Sequence, residues 1–135
     1  MRQRLIEAGL STQVKVDSAG LIDYHEGELP DSRMRHHAAL HGYELTHRSR
    51  PVRREDFLHF DLIIGMDDAN IRRLQSLAPS DEARRKIHKM TEFCRSHQVS
   101  SVPDPYYGGS SDFEYVIEIL EDATQGLLDS LVFAV

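Results

Sequence analysis

The sequence predicts an α/β fold, a three-layer sandwich built on a small and mostly parallel sheet. Apolar runs of strand length alternate along the chain with segments of helical period. Residues 62–66 are apolar throughout, which is typical of a strand buried on both faces. Loops follow the ends of three predicted strands, after Ser18, Met66 and Met90. In this class of fold, ligands bind at the carboxyl ends of parallel strands, so we expect the functional site there.

The predicted elements begin with a short helix that Gly9 ends. Val14 and Val16 then alternate on one face of a strand. After a polar, glycine-bearing loop, Pro30 is a favourable start and Gly42 a favourable end for a second helix. In chain order we expect a helix over residues 2–8, a strand over 13–18, a loop over 19–29, and helices over 30–42 and 53–60. We then expect a strand over 62–66, a helix from 67, a strand over 87–90 and a last helix from 112.

The second half of the chain carries strong helical signals. Asp67 and Asp68 directly follow the apolar run and favour a helix N-terminus, because its partial positive charge attracts carboxylates. The last helix is the longest element, with apolar residues at helical spacing from Phe113 to Leu131. Its apolar tail, residues 131–135, has two interpretations. It is either a frayed helix end or a strand that inserts into the sheet or exchanges between chains.

Composition and charge exclude several classes of protein. The 135 residues are 40% hydrophobic and 28% charged, which fits one folded domain over residues 1–135. A formal charge of −6 argues against a nucleic-acid partner. No apolar run reaches the roughly 18 residues of a membrane-spanning helix. The single cysteine, Cys94, excludes an intrachain disulfide framework and a multi-cysteine zinc site. We therefore expect a cytoplasmic protein with no membrane partner.

The segment 102–109 (VPDPYYGG) carries the most informative chemical signal. Two prolines flank Asp104, restrict the backbone on both sides and hold its carboxylate on a stiff loop. Beside Tyr106 and Tyr107, such a carboxylate suits a general acid next to an aromatic wall that accepts a flat ring. The alternative is a tight turn that caps the last helix, with the tyrosines packed on the surface.

This stretch resembles the DPYYGG signature of the low-molecular-weight protein-tyrosine phosphatases, and the resemblance extends over nearly every residue after about Leu5. Several motifs in the family's order are far more specific than one short pattern. The matching segments are 17–20 (DSAG), 30–33 (PDSR), 46–50 (THRSR), 55–67 (EDFLHFDLIIGMD), 102–109 and 113–123 (FEYVIEILEDA).

The resemblance implies hydrolysis of phosphotyrosine through a cysteinyl-phosphate intermediate, without a metal or other cofactor. The partner would be a phosphotyrosine-containing protein or an aryl phosphate. Asp104 would be the general acid that protonates the leaving phenolate and later helps to activate water. Tyr106 and Tyr107 would line the pocket mouth, with Tyr24 on the opposite wall, where some relatives carry tryptophan.

The resemblance also implies two supporting residues. Ser18 and His47 would donate hydrogen bonds that hold the phosphate-binding loop in shape. Without the resemblance, Ser18 is interpreted as a turn former at the end of a strand. His47, again without the resemblance, is interpreted as a core histidine with a satisfied hydrogen bond.

The 135 residues lack the family's attacking and phosphate-clamping residues. Members begin with a strand and a Cys-x5-Arg loop, whose low-pKa thiolate attacks phosphorus while the arginine grips the oxygens. Cys94 is no substitute, because Arg95 follows it directly and Ser100 occupies the sixth position. We expect negligible activity from this chain alone. We favour Met1 as an internal methionine of a longer protein, because the family's missing strand is central to its sheet. The alternative is a non-catalytic remnant.

Three other functions compete with this one. An arsenate reductase of the same fold relays oxidation through several cysteines, which one cysteine does not allow. A phosphoarginine phosphatase of the same lineage fits less well, because paired tyrosines suit a flat aryl ring. A non-catalytic module would bind a partner through the tyrosine-lined surface. We expect a monomer or a weak, strand-exchanged dimer.

Two further clusters have plainer explanations. His37 and His41 lie one helical turn apart, beside His36, but no third metal ligand is apparent, so we expect a solvated or half-buried helix face. A local run of arginines would steer an anionic phosphopeptide, although a solvated run of charge is the simpler interpretation. The run consists of Arg48, Arg50, Arg53 and Arg54.

Overall fold

The structure, a computed structural model, describes residues 1–21, 29–48, 50–104 and 108–134, and it confirms the α/β class. Two short strands pair in parallel, with Ile63 opposite Ile87, and a 3-10 turn follows the second strand. The described elements are α1 (Arg2–Glu7), α2 (Ser32–Leu40), α3 (Asp56–His59), β1 (Ile63–Gly65), α4 (Asp68–Leu77), α5 (Asp81–Arg84), β2 (Ile87–Lys89), the 3-10 turn (Met90–Phe93) and α6 (Ser110–Ala134).

Each face of the sheet carries its own hydrophobic cluster, so the described elements form three layers. Successive side chains of a strand point to opposite faces. Ile63 packs against the cluster around Phe57 and Leu74, to which α3, α4 and α5 contribute. Its neighbour Ile64 packs against the cluster around Ile119, to which α6 and α2 contribute. Burial on both faces explains why the run 62–66 is apolar throughout.

Local capping signals set both ends of α2 within two residues of the predicted bounds, 30 and 42, and start α4 one residue after position 67. The Asp31 side chain accepts a hydrogen bond from the Arg33 amide at the start of α2. Asp67 accepts one from the Asn70 amide at the start of α4. Gly42 follows α2 with φ of +85°, a left-handed conformation that favours glycine. None of the described helices is both long and apolar enough to cross a membrane.

The strand predicted at residues 13–18 is wrong for the described structure. In this part of the chain, Gly20 forms only an isolated parallel bridge with Pro51. The Val16 carbonyl accepts a hydrogen bond from the Arg2 side chain rather than from a neighbouring strand. Alternating valines supply a local pattern, but a strand also needs a partner along its length. Ser11 and residues 14–17 instead form one wall of an open groove of about 520 Å³.

The strand interpretation of the C-terminal tail is also wrong for residues 131–134. Helix α6 continues through them to Ala134. Just before the tail, Leu127 and Leu128 are buried, so the helix is held by packing close to its end. The helical interpretation of the last element is therefore the correct one, and α6 begins at Ser110, two residues before the predicted start.

Candidate active site

Asp104 is exposed in the segment between the 3-10 turn and α6. Two residues earlier, Val102 is buried, and its amide donates to the Met66 carbonyl at 2.8 Å, directly after β1. On the far side, the Gly109 amide donates to the Asp112 carboxylate at 2.9 Å as α6 begins. The segment that carries Asp104 is therefore anchored beside the carboxyl end of β1, where this class of fold binds ligands.

Ser18 and His47 are brought together, although not through both side chains. His47 Nε2 lies 3.0 Å from the Ser18 carbonyl oxygen and 3.3 Å from Asp17 Oδ1. The Ser18 amide donates to the same carboxylate oxygen at 2.8 Å. His47 is half-buried and tied to the backbone at Ser18, while Ser18 itself is exposed. These contacts fix the turn at residues 17–18 against the segment that contains His47.

Arg50 joins this turn to α3. Its guanidinium forms a two-pronged contact with the Asp56 carboxylate, at 2.9 and 3.0 Å, and its Nη2 lies 3.1 Å from Asp17 Oδ2. Burial alone would raise the pKa of Asp17, but hydrogen bonds from the Ser18 amide and from Arg50 outweigh it and lower the pKa. The expectation of a solvated charge run is wrong for Arg50, because two carboxylates hold it in a half-buried position.

Cys94 is unsuited to nucleophilic attack. Its thiol is half-buried, and its sulfur faces the carbonyl oxygen of Ile119 in α6 at 3.9 Å. Burial raises the pKa of the thiol, and the negative charge of Asp122 raises it further. The side chain therefore stays protonated near neutral pH, in agreement with the expectation that Cys94 is no substitute for the missing nucleophile.

Two histidines, His37 of α2 and His41 directly after it, contact glutamates. His37 is buried rather than solvated, and both His37 and His41 lie against Glu114 of α6. Within the described part of the chain, no group of three or more histidine, cysteine, aspartate or glutamate side chains is arranged to hold a metal ion.

The three predicted aromatic residues, Tyr24, Tyr106 and Tyr107, lie outside the described residues. Their assignment to the walls of a pocket stays a prediction. Asp17, Arg50 and Asp56 could not be assigned to the site from sequence. All three fall within matching motifs, but no local spacing indicates that one arginine joins two carboxylates.

Taken together, these features define an α/β domain with an exposed carboxylate anchored at the carboxyl end of its parallel sheet. The family model described as low molecular weight phosphotyrosine protein phosphatase matches residues 1–133. The chain belongs to this family.

Individual relatives agree with the family assignment. A Synechocystis protein is 40% identical over 131 residues, which are 97% of this chain and 83% of the relative. A low molecular weight protein-tyrosine-phosphatase from Streptomyces coelicolor is 38% identical over 129 residues, 94% of this chain and 79% of the relative. A crystal structure of a protein tyrosine phosphatase from Entamoeba histolytica, with Hepes in its active site, superposes with a TM-score of 0.95 at 41% identity. That match covers 98% of this chain and 85% of the other.

Proposed function

We propose that this protein hydrolyses phosphotyrosine on proteins and that Asp104 is the general acid of the reaction. The observation that carries the assignment is the exposed carboxylate of Asp104, on a segment anchored beside the carboxyl end of β1. Membership of the phosphatase family supplies the reaction type. The relatives extend beyond the aligned region, which is 79% to 85% of their length.

Asp104 would act twice. As the bond between phosphorus and the phenolic oxygen breaks, the protonated carboxyl gives its proton to the oxygen, so that tyrosine leaves as a neutral phenol. The phosphoryl group passes to a cysteine thiolate. The carboxylate then takes a proton from water as the water attacks phosphorus, which frees the thiolate and releases phosphate. An exposed position allows Asp104 to reach both the leaving oxygen and the water.

The remaining site residues would shape the pocket. Tyr24, Tyr106 and Tyr107 would hold the substrate ring. His47 would support the backbone at residue 18. The contact of His47 with both the Ser18 carbonyl and Asp17 supports this role, because it ties the backbone at residue 18 to the segment that contains His47.

We expect the 135-residue chain by itself to have negligible phosphatase activity. Its one cysteine has a raised pKa, and the sequence has no arginine six positions after it. Purified chain assayed on p-nitrophenyl phosphate tests this expectation. Turnover that an Asp104→Ala change abolishes would contradict it, because the chain would then contain a complete active site. A matched control is Asp81→Ala, since Asp81 is highly exposed on α5.

The coding region upstream of Met1 distinguishes the enzyme from a binding module. An in-frame strand followed by Cys-x5-Arg would supply the nucleophile and the phosphate clamp, and the extended chain should then hydrolyse phosphotyrosine peptides. The absence of such a segment would favour a non-catalytic module that binds through the Asp104 surface.

A cytoplasmic location and a monomer are part of the same proposal. The tail that would exchange between chains is helical to Ala134 and continues from buried Leu127 and Leu128, which argues against strand exchange. Light scattering on the purified chain should give the 15.5 kDa of one copy. Deletion of residues 131–135 should leave the chain monomeric, and a dimer that this deletion dissociates would contradict the monomer.

A further inference from the structure

His41 sits between two carboxylates where α2 packs on α6. Its Nε2 contacts Glu114 Oε2, and its Nδ1 lies 3.2 Å from Glu121 Oε1. A neutral imidazole carries only one N–H, so it would donate to one carboxylate and direct a lone pair at the other. The doubly protonated ring donates to both. This geometry therefore favours the imidazolium form of His41.

Glu114 extends the contact to a second histidine. Its other oxygen, Oε1, lies 2.7 Å from His37 Nδ1. His37 is buried and stacks on Phe113, with ring centroids 5.5 Å apart. His37 Nε2 lies 3.4 Å from the hydroxyl of Ser110, the first residue of α6. One carboxylate thus connects His37 of α2, and His41 directly after α2, to the first turn of α6.

The neighbouring charged groups leave His41 facing acidic partners. The Tyr43 hydroxyl donates to Glu121 at 3.1 Å. Arg4 of α1 donates to the backbone carbonyl of Glu121 rather than to its carboxylate. Arg33 lies over the ring of Phe113. Apart from His41 itself and His37, which shares Glu114, no described histidine, lysine or arginine side chain lies within salt-bridge distance of either carboxylate.

The surrounding contacts shift both groups in the direction that favours the charged pair. The hydrogen bond to Glu114 is the largest cause that raises the pKa of His41, and Glu121 adds to it. Hydrogen bonds from His37 and His41 lower the pKa of Glu114.

We propose that His41 and Glu114 form a proton-operated clamp that holds α2 on α6 and fixes the first turn of α6. While His41 is doubly protonated, it joins Glu114 and Glu121, and Glu114 keeps its contact with His37. When His41 loses its proton, one ring nitrogen faces a carboxylate without a hydrogen, and the clamp loosens. The link between the clamp and catalysis rests on the proposed function. Because α6 begins six residues after Asp104, Glu114 becomes a positioning residue for the general acid.

The clamp predicts a stability difference that depends on pH. A raised His41 pKa stabilises the fold at pH values below the ordinary 6.5, and this contribution is lost as pH rises through the folded value. A lowered Glu114 pKa stabilises the fold above the ordinary 4.5, and this contribution is lost at lower pH. The contribution of the pair is therefore largest between these two values, near pH 5.5.

Thermal unfolding of the 135-residue chain between pH 4 and 9 measures this difference. Glu114→Gln should lower Tm by about 3–6 °C near pH 5.5 and by less than half as much at pH 9. Glu118→Gln is the matched control, because Glu118 is an exposed glutamate one turn further along α6, and its effect should not vary with pH. An effect of Glu114→Gln that is equal at pH 5.5 and pH 9 would overturn the clamp.

An NMR titration of the unaltered chain tests the clamp without any variant. The His41 ring should titrate with a midpoint above 6.5, and a midpoint at or below 6.5 would overturn the proposal. The Ser110 amide and the Asp104 carboxyl carbon should shift with the same midpoint. If His41 titrates as expected and Asp104 does not follow, the positioning role is wrong while the proposed phosphatase function stands. An extended chain without phosphatase activity would leave the titration of His41 unchanged.

Discussion

At the scale of single residues, carboxylates that accept several hydrogen bonds hold the irregular parts of the chain. Asp122 on α6 accepts from the amides of Arg95, Ser96 and His97, each at 2.9 Å, and from the His97 ring at 2.7 Å. These contacts pin the loop that follows the 3-10 turn. Although burial alone would raise the pKa of Asp122, the amide and imidazole hydrogen bonds hold it far below its ordinary value.

Loss of the Asp122 charge should therefore destabilise the fold. Asp122→Asn keeps the size of the side chain but replaces one acceptor oxygen with a donor that faces backbone amides. We expect the free energy of unfolding to fall by about 2–4 kcal/mol, as measured by urea denaturation at pH 7. Asp81→Asn, at an exposed position, should change it by less than about 0.5 kcal/mol. Equal effects of the two changes would contradict this role for Asp122.

The chemistry of individual residues was partly predictable from sequence. The prolines beside Asp104 indicate a held carboxylate because their effect on the backbone is local. The bridge that Arg50 makes between Asp17 and Asp56 was not predictable, because it joins positions that are brought together only when the chain folds. The same holds for His41, whose two carboxylate partners lie more than 70 residues further along the chain.

At the scale of elements, helices were easier to predict than strands. The caps at Asp31 and Asp67 lie within a few residues of the helices they start, so the local sequence is sufficient. Helix α5 was missed, although Ser80 supplies a cap of the same kind. The strand at 13–18 failed because alternation alone does not provide a neighbour to pair with.

The packing of α6 on the 3-10 turn depends on one small residue. A Cβ at Gly126 would overlap the carbonyl oxygen of Phe93. In an open helix, glycine to alanine adds about 1 kcal/mol of stability, but here the overlap forces the two elements apart. We expect Gly126→Ala to lower the free energy of unfolding by about 2–4 kcal/mol. Gly109→Ala, where a Cβ meets nothing within 4 Å, is the control, and a stabilising Gly126→Ala would contradict the close contact.

At the scale of the whole molecule, two hydrophobic clusters on opposite faces of a short parallel sheet hold the layers together. The segment with Asp104 and the turn with Ser18 both belong to the irregular chain around this sheet. Both segments are anchored to the layered structure. The segment with Asp104 is anchored at Met66, directly after β1, and the turn with Ser18 is anchored to α3 through Arg50. The net charge of the protein is −6. Attraction of a phosphorylated substrate therefore depends on local groups rather than on the charge of the molecule as a whole.

The central claim is that Asp104 protonates the leaving group. The most direct test is whether the effect of an Asp104 substitution depends on the acidity of the leaving phenol. Where the upstream reading frame supplies the Cys-x5-Arg loop, kcat/KM of the extended chain is measured for aryl phosphates whose phenols range from acidic to weakly acidic. Asp104→Asn should lower kcat/KM by about 10²–10⁴-fold for the phosphate ester of the least acidic phenol. It should lower kcat/KM much less for p-nitrophenyl phosphate, because p-nitrophenolate leaves without a proton. An equal loss for every phenol, or no loss, would contradict the role of Asp104 as the general acid.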